Sequence, residues 1–456
     1  MKDHAPSASS AIPSTAGVRP DPAGEEMHAF MRELYPICRS ITGEGLRRTL
    51  AAIGARLPLQ MSEVPTGTEV FDWTVPKEWN LRDAYLKGPG GEKVVDFRAH
   101  NLHVLNYSAP VRAKLPLSEL KAHLHTLPDH PAWIPYRTSY YKEAWGFCLT
   151  HDLLASLPEG EYEAVIDSTL EPGALSYGEH LIQGESEAEV LISCHVCHPS
   201  LANDNLSGIA VAVWLAAHLA KRPRRLSYRF VFLPGTIGAV AWLARNPAAV
   251  ARIRHGLVIS GVGNSGPLTY KRSLRGDTVT DRAAEHVLKT SGSPFAVRDF
   301  TPYGYDERQY CSPGFNLAVG RISRTPYGEY PEYHSSADNL DFVKPERLAG
   351  SLAYCEDLME ALDLDGVYVN TSPYGEPQLG KRGLYRPSGG AGAEEMSLLW
   401  VLSHSDGKRS LLDIAERSGL SMSQVGAARD ALLAKDLLRA VSPSAVPGAS
   451  GSGRPA

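Results

Sequence analysis

Within ten residues, His195, His198 and Asp204 bring together two imidazoles and a carboxylate, side chains that commonly hold divalent zinc. Cys194 and Cys197 interleave with the histidines in CHVCHPSLANDNLSG (194–208). A redox-active C-x-x-C sits at a helix N-terminus, whereas this pair straddles His195 at the end of an apolar run, and no second C-x-x-C exists to complete a structural zinc site. Two later loops add reactive groups. TPYGYDERQYCSPG (301–314) carries Asp306, Glu307 and Arg308, and TPYGEYPEYHSSADNLDF (325–342) carries Glu329, Glu332, His334 and Asp338. His195, Asp204 and the distant His334 make a chemically sensible ligand set for a hydrolytic metal site, which keeps one coordination position for water. For Asp306, Glu307 and Arg308 a local ion-pair network is an equally simple use.

The elements that must position these groups are legible from periodicity. Val190, Leu191 and Ile192 form a strand that ends at the first histidine, and the segment after Asn205 is an apolar helix. Strands alternate with helices across 185–363, so the main domain, 25–56 with 185–365, is expected to be α/β with a mixed, largely parallel sheet covered on both faces. In such sheets ligands bind in crevices beyond the carboxyl ends of the strands. Residues 57–184 are rich in short β pieces, turns and aromatics, and are read as a β-rich inserted domain. The run containing Trp133, Tyr136, Tyr140 and Tyr141 either lines a ligand groove or forms that domain's aromatic core. Residues 366–392 are read as a linker and 393–441 as a winged-helix-like module, in which Ser421 and Gln424 form a capping box. Segments 1–24 and 442–456 are read as disordered tails.

Composition narrows the function classes. The chain has 456 residues, 43% hydrophobic and 21% charged, with a net charge of −5, so no basic footprint points to nucleic acid or anionic membrane. Residues 394–440 hold seven acids and six bases, which argues against DNA reading by the C-terminal module. No apolar run nears the roughly 20 residues of a membrane span, and the N-terminus lacks the hydrophobic stretch of a signal peptide. Six cysteines are too sparse for a disulfide scaffold, and a cytoplasmic location is expected. A homo-oligomer is left open.

The order strand, His195, loop, Asn203-Asp204-Asn205-Leu206-Ser207-Gly208, helix resembles the first metal motifs of the co-catalytic zinc aminopeptidases. The segment from Asp306 to CSPGFNLAVG (311–320) and the ending YHSSADNLD (333–341) resemble later motifs of that superfamily. With the inserted domain and the C-terminal module, the chain resembles aminopeptidase-like proteins linked to polysaccharide or small-molecule biosynthesis. The resemblance implies His195, Asp204 and His334 as zinc ligands, with Asp204 bridging.

The departures are specific. Where the family places a general-base Glu and a ligand Glu, this chain has Pro234, Gly235 and Thr236. Where the family's next strand ends in a ligand Asp, it has Ser260 to Asn264, and Cys197 replaces an orienting Asp. These losses point to one zinc ion rather than two. His198 is the candidate replacement ligand, and Asp306, Glu307, Arg308 and Glu332 are the candidate catalytic groups, with Glu307 or Glu332 as general base and Arg308 stabilising the oxyanion. Tyr303, Tyr305 and Tyr310 are expected to line the substrate pocket, with Glu329 receiving a substrate amine. The expected activity is zinc-dependent hydrolysis of an amide in a small peptide or amino-sugar-type substrate. The rival readings are a binding protein on a decayed peptidase fold, and DNA-linked regulation.

Overall fold

Glu189–His195 is buried at every position, which is why it reads as one apolar run. It is the third of eight strands, numbered here β1 (Gln60–Pro65), β2 (Ala174–Ile182), β3 (Glu189–His195), β4 (Ser227–Leu233), β5 (Ile253–Ile259), β6 (Leu268–Lys271), β7 (Phe295–Arg298) and β8 (Val319–Ser323). They lie in the order β1-β2-β4-β3-β5-β8-β6-β7. Strand β3 runs parallel to β4 and β5, and β5 runs parallel to β8; β1, β2 and the β6–β8 pairing are antiparallel. The chain leaves β3 toward β4 on one side and then crosses to β5 on the other. That reversal opens a crevice at the carboxyl end of β3, where His195 stands.

The computed structural model describes residues 21–384 and 392–441. The two faces of β3 feed two cores. Val190, Ile192 and Cys194 join the helices Pro22–Leu34, Gly208–Leu219 and Pro345–Leu364, whereas Leu191 joins Trp242 of helix Ile237–Arg245 on the other side. Each buried Leu, Ile or Phe stabilises this arrangement by about 1.5–3 kcal/mol. At the far end of β3, Arg229 and Arg252 each hold Glu189 at 2.6 Å. The strand is thus anchored at one end and delivers its histidine at the other.

Three expected boundaries are corrected. Strands β1 and β2 fall within the expected inserted domain 57–184, yet they pair with each other and with β4 in the large sheet. The separate four-stranded sheet is built from Lys93–Asp96, Glu78–Lys87, Glu161–Glu171 and Val111–Pro116. Its longest pairing joins Glu78–Lys87 to Glu161–Glu171. Secondly, Val367–Asn370, inside the expected linker, is a strand pairing with Asp406–Ser410 and Leu438–Ala440. It belongs to the winged-helix unit. Thirdly, the first helix begins at Pro22, capped by Asp21, inside the expected tail 1–24. The rest of that tail and the tail expected from 442 lie outside the described residues.

In the winged-helix unit the third helix, Met422–Leu433, packs with Gly426 against Leu364. Its Arg429 lies 3.4 Å from both the Leu364 carbonyl and the Tyr368 hydroxyl. Among the described residues no helix is long and apolar enough to cross a membrane.

Candidate metal centre

Asp204 is the hub. One carboxylate oxygen lies 2.9 Å from His195 Nε2, and the other lies 3.1 Å from His334 Nε2 and 3.9 Å from His198 Nε2. Ligand atoms of His195, His198 and Asp204 all fall within 4.8 Å of one another, the spacing of groups that can share one ion. Burial alone would raise the Asp204 carboxyl, but His198, His195 and His334 outweigh it and hold the group well below the usual carboxylate range. Burial pushes His198 down to about 3, so it presents a neutral imidazole fit to be a ligand. His198 Nδ1 lies 3.2 Å from Cys197 Sγ, and His195 stacks on Tyr305 with ring centres 4.9 Å apart.

The polar residues around Asp204 explain how the sequence places it. Asp338 accepts the backbone N–H groups of Asn203 and Asp204 at 2.6 and 3.0 Å, fixing the turn that presents the hub. Burial pushes Asp338 up to about 8, against the effect of those N–H donors. Asn205, Ser207 and Asn203 accept the N–H groups of Gly261, Val262 and Gly263. The Asn-Asp-Asn-x-Ser run therefore clamps the loop after β5. The sequence does not show which N–H groups Asp338 meets, so this role is visible only in the structure.

His334 has a left-handed backbone, φ 56°, uncommon for a residue other than glycine. The conformation is held from the inserted segment: Tyr136 donates its N–H to the His334 carbonyl at 2.7 Å, and Ile134 donates to Ser336 Oγ at 2.9 Å. The Tyr136 ring stands edge-on to His334, with centres 5.0 Å apart, and 5.1 Å from His198. Part of the aromatic run thus completes the site wall, a use that periodicity could not separate from core packing.

A cavity of about 340 Å³ opens beside these groups, lined by His195, His198, His334, Gly235, Thr236, Asp306 and a ring of tyrosines that includes Tyr136, Tyr140, Tyr303, Tyr305, Tyr327 and Tyr333. Asp306 is 1% exposed, and neither carboxyl oxygen has a hydrogen-bond partner among the described residues. Burial pushes it up to about 6, and His195 pulls the other way. A Cβ on Gly235 would stand 3.2 Å from His195 Cβ and 3.4 Å from each Asp306 oxygen. Glycine at 235 leaves room for a carboxylate arriving from the opposite loop.

Other expected residues lie elsewhere. Glu307 points away from the cavity into a buried ion pair with Lys271 at 2.9 Å, with Arg321 at 3.7 Å, so it is not placed to act as base. Tyr310 is buried against Trp242 and hydrogen-bonded to Ser193 at 2.9 Å, which makes it core rather than pocket. Glu329 pairs with Arg298 at 2.7 Å outside the cavity, and Glu332 is not among the lining residues. Arg308 rests against two wall residues, 3.4 Å from Thr236 Oγ1 and 5.8 Å from the Tyr303 ring centre.

Comparison with known proteins places the chain in a family. Residues 28–365 match the family model described as a domain of unknown function, DUF4910, and 366–440 match a winged helix-turn-helix model. A Clostridium acetobutylicum protein, provisionally named for polysaccharide biosynthesis and an aminopeptidase-like domain, is 48% identical over 421 residues, covering 92% of this chain and 97% of its own. A crystal structure from that species, provisionally named a peptidase, is 48% identical with a TM-score of 0.88, covering 92% of this chain and 96% of its own. The zinc aminopeptidase BSAP of Bacillus subtilis shares the fold at 12% identity, with a TM-score of 0.54 over 74% of this chain and 95% of its own.

Proposed function

The chain belongs to the DUF4910 family, with an aminopeptidase-like α/β domain joined to a winged helix, and we propose that it is a zinc-dependent amide hydrolase. Its substrate would be a small peptide or amino-sugar-type molecule used in polysaccharide or small-molecule biosynthesis, a reading to which the relative's name lends support. One observation carries the reading: the buried, unpartnered carboxyl of Asp306 shares a cavity with His195, His198 and His334.

The donor set fits one zinc ion better than two. His195, His198 and Asp204 offer three ligand atoms, His334 a fourth beside the Asp204 oxygen that His198 also faces, and the orphaned Asp306 carboxyl faces the same space. Held by these residues, a zinc ion would supply Lewis acidity toward an amide carbonyl and toward water. Asp306 takes a proton from water and returns it to the leaving nitrogen, a task for a carboxyl held in a sparsely solvated wall. The tyrosine hydroxyls of the wall orient the amide, and the aromatic rings exclude bulk water.

The test is metal content together with turnover. Native protein should carry about one zinc per chain, and metal-stripped protein should regain amide hydrolysis on adding zinc. Protein with no stoichiometric metal, and no cleavage with any metal added, favours the second reading of a binding protein on a decayed peptidase fold. The absence of carboxylates at Pro234, Gly235 and Thr236 is the observation on that side.

A further inference from the structure

Arg308 forms no close ion pair among the described residues, and the carboxyl on which its charge acts is Asp306, two positions earlier. Its guanidinium touches Thr236 and the face of Tyr303, both in the cavity wall, yet its Nε is buried without an acceptor and no carboxylate forms an ion pair with it among the described residues. An arginine cannot shed its charge, so a partly buried and unpaired one is costly unless something else supplies the anion. The wall behind it adds to the imbalance, since Lys271 and Arg321 share the single carboxylate of Glu307.

The cavity is equally short of groups for a substrate amine. Asp306 is the one carboxyl among its lining residues, and the proposed reaction uses it. Asp204 is enclosed by three histidines, and Glu329 is taken by Arg298. We propose that the substrate is recognised through an anionic group, a carboxylate or phosphate seated on Arg308 beside Thr236, and not through a free amino group. The molecule would then be an amide hydrolase for N-acylated acids or acyl-amino phosphates rather than an aminopeptidase in the strict sense. The chemistry follows from the hydrolase reading; the binding claim stands apart from it.

The test is equilibrium binding by NMR to the full-length chain, metal-free and zinc-loaded, with N-acetyl-L-alanine, inorganic phosphate and L-alaninamide as probes. At least one anion should bind ten times more tightly than L-alaninamide, and which one does identifies carboxylate or phosphate. Arg308→Gln, checked for native circular dichroism, should weaken that anion by about 10–150-fold, the range for hydrogen bonds to a charged group, and Arg308→Lys should recover part of it. Anion affinity within twofold of the parent in Arg308→Gln, tighter binding of L-alaninamide, or no anion binding would overturn the proposal. Anion binding without any amide cleavage removes the hydrolase reading and keeps this one. Cleavage of L-alaninamide that Arg308→Gln leaves undiminished does the reverse.

Discussion

Tyr136 and His334 are joined twice, by a backbone hydrogen bond of 2.7 Å and by an edge-on ring contact of 5.0 Å. A residue of the inserted segment therefore sets both the backbone and the imidazole of a candidate ligand. Orienting partners of metal ligands are commonly worth 10–100-fold in metal affinity. Tyr136→Ala keeps the backbone N–H but removes the ring, and should weaken zinc binding by about tenfold or more, at the low end of that range, without unfolding the chain. A competition titration with a chelator dye would measure this, and an unchanged affinity would show that the ring only fills space.

Asp306→Asn keeps the size of the side chain and removes its proton-accepting role. We expect amide hydrolysis to fall about 10²–10⁴-fold while zinc content stays near that of the parent. Glu307→Gln breaks the buried pair with Lys271 instead, and should lower thermal stability before it lowers turnover per folded molecule. If the two variants exchange phenotypes, the base is Glu307.

Ligand removal should be graded. His195→Ala and Asp204→Ala take away the ring partner of Tyr305 and the hub, and should abolish stoichiometric zinc. His198→Ala should lower the affinity and leave measurable binding, because His334 still faces the second Asp204 oxygen. Metal analysis after dialysis distinguishes these outcomes.

A pH effect is expected far from the centre. His100 Nδ1 accepts the N–H of Leu102 at 3.1 Å, and burial, aided by His103, pushes His100 from 6.5 down to about 4. Between those values the unfolded chain binds more protons than the folded one, so this contribution to stability is present above pH 6.5 and is lost as pH falls toward 4. Hydrogen exchange at the Leu102 amide should quicken over that window relative to amides in β3. Protection that stays flat from pH 7 to 4 would rule the cap out.

We expect the winged helix to bind DNA only weakly. Its third helix is packed against the α/β domain at Gly426 and Leu364, and Arg429 is engaged internally. Electrophoretic mobility shifts at physiological salt should show no affinity beyond the weak non-specific range of about 10⁻⁴–10⁻⁶ M.

Much of the fold was legible because long apolar runs betray buried strands and helices. Strand β3, the helix after it and the capping box at Ser421 follow from periodicity and local chemistry alone. The domain borders were not, since β1 and β2 look like the insertion's strands and only their partners reveal that they extend the main sheet. In the site, residue type was enough to gather His195, His198, Asp204 and His334. It could not separate Asp306 from Glu307: adjacent carboxylates on one turn face opposite ways, one into the cavity and one toward Lys271. Nor could it choose between groove and core for Tyr136, whose place in the wall comes from a pairing between Pro135 and Ser335.

The latch between Ile134 and Ser336 spans 202 positions of chain, and that between His334 and Asp204 spans 130. Closing loops of that size is slow, so the centre can assemble only after both the insertion and the last third of the α/β domain have been made and collapsed. A growing chain emerging from the ribosome holds His195, His198 and Asp204 long before it has His334. For the proposed zinc centre, tight capture of the ion would therefore be a late event in biogenesis, and chelators should act as a brake on maturation more than as a denaturant of the finished molecule.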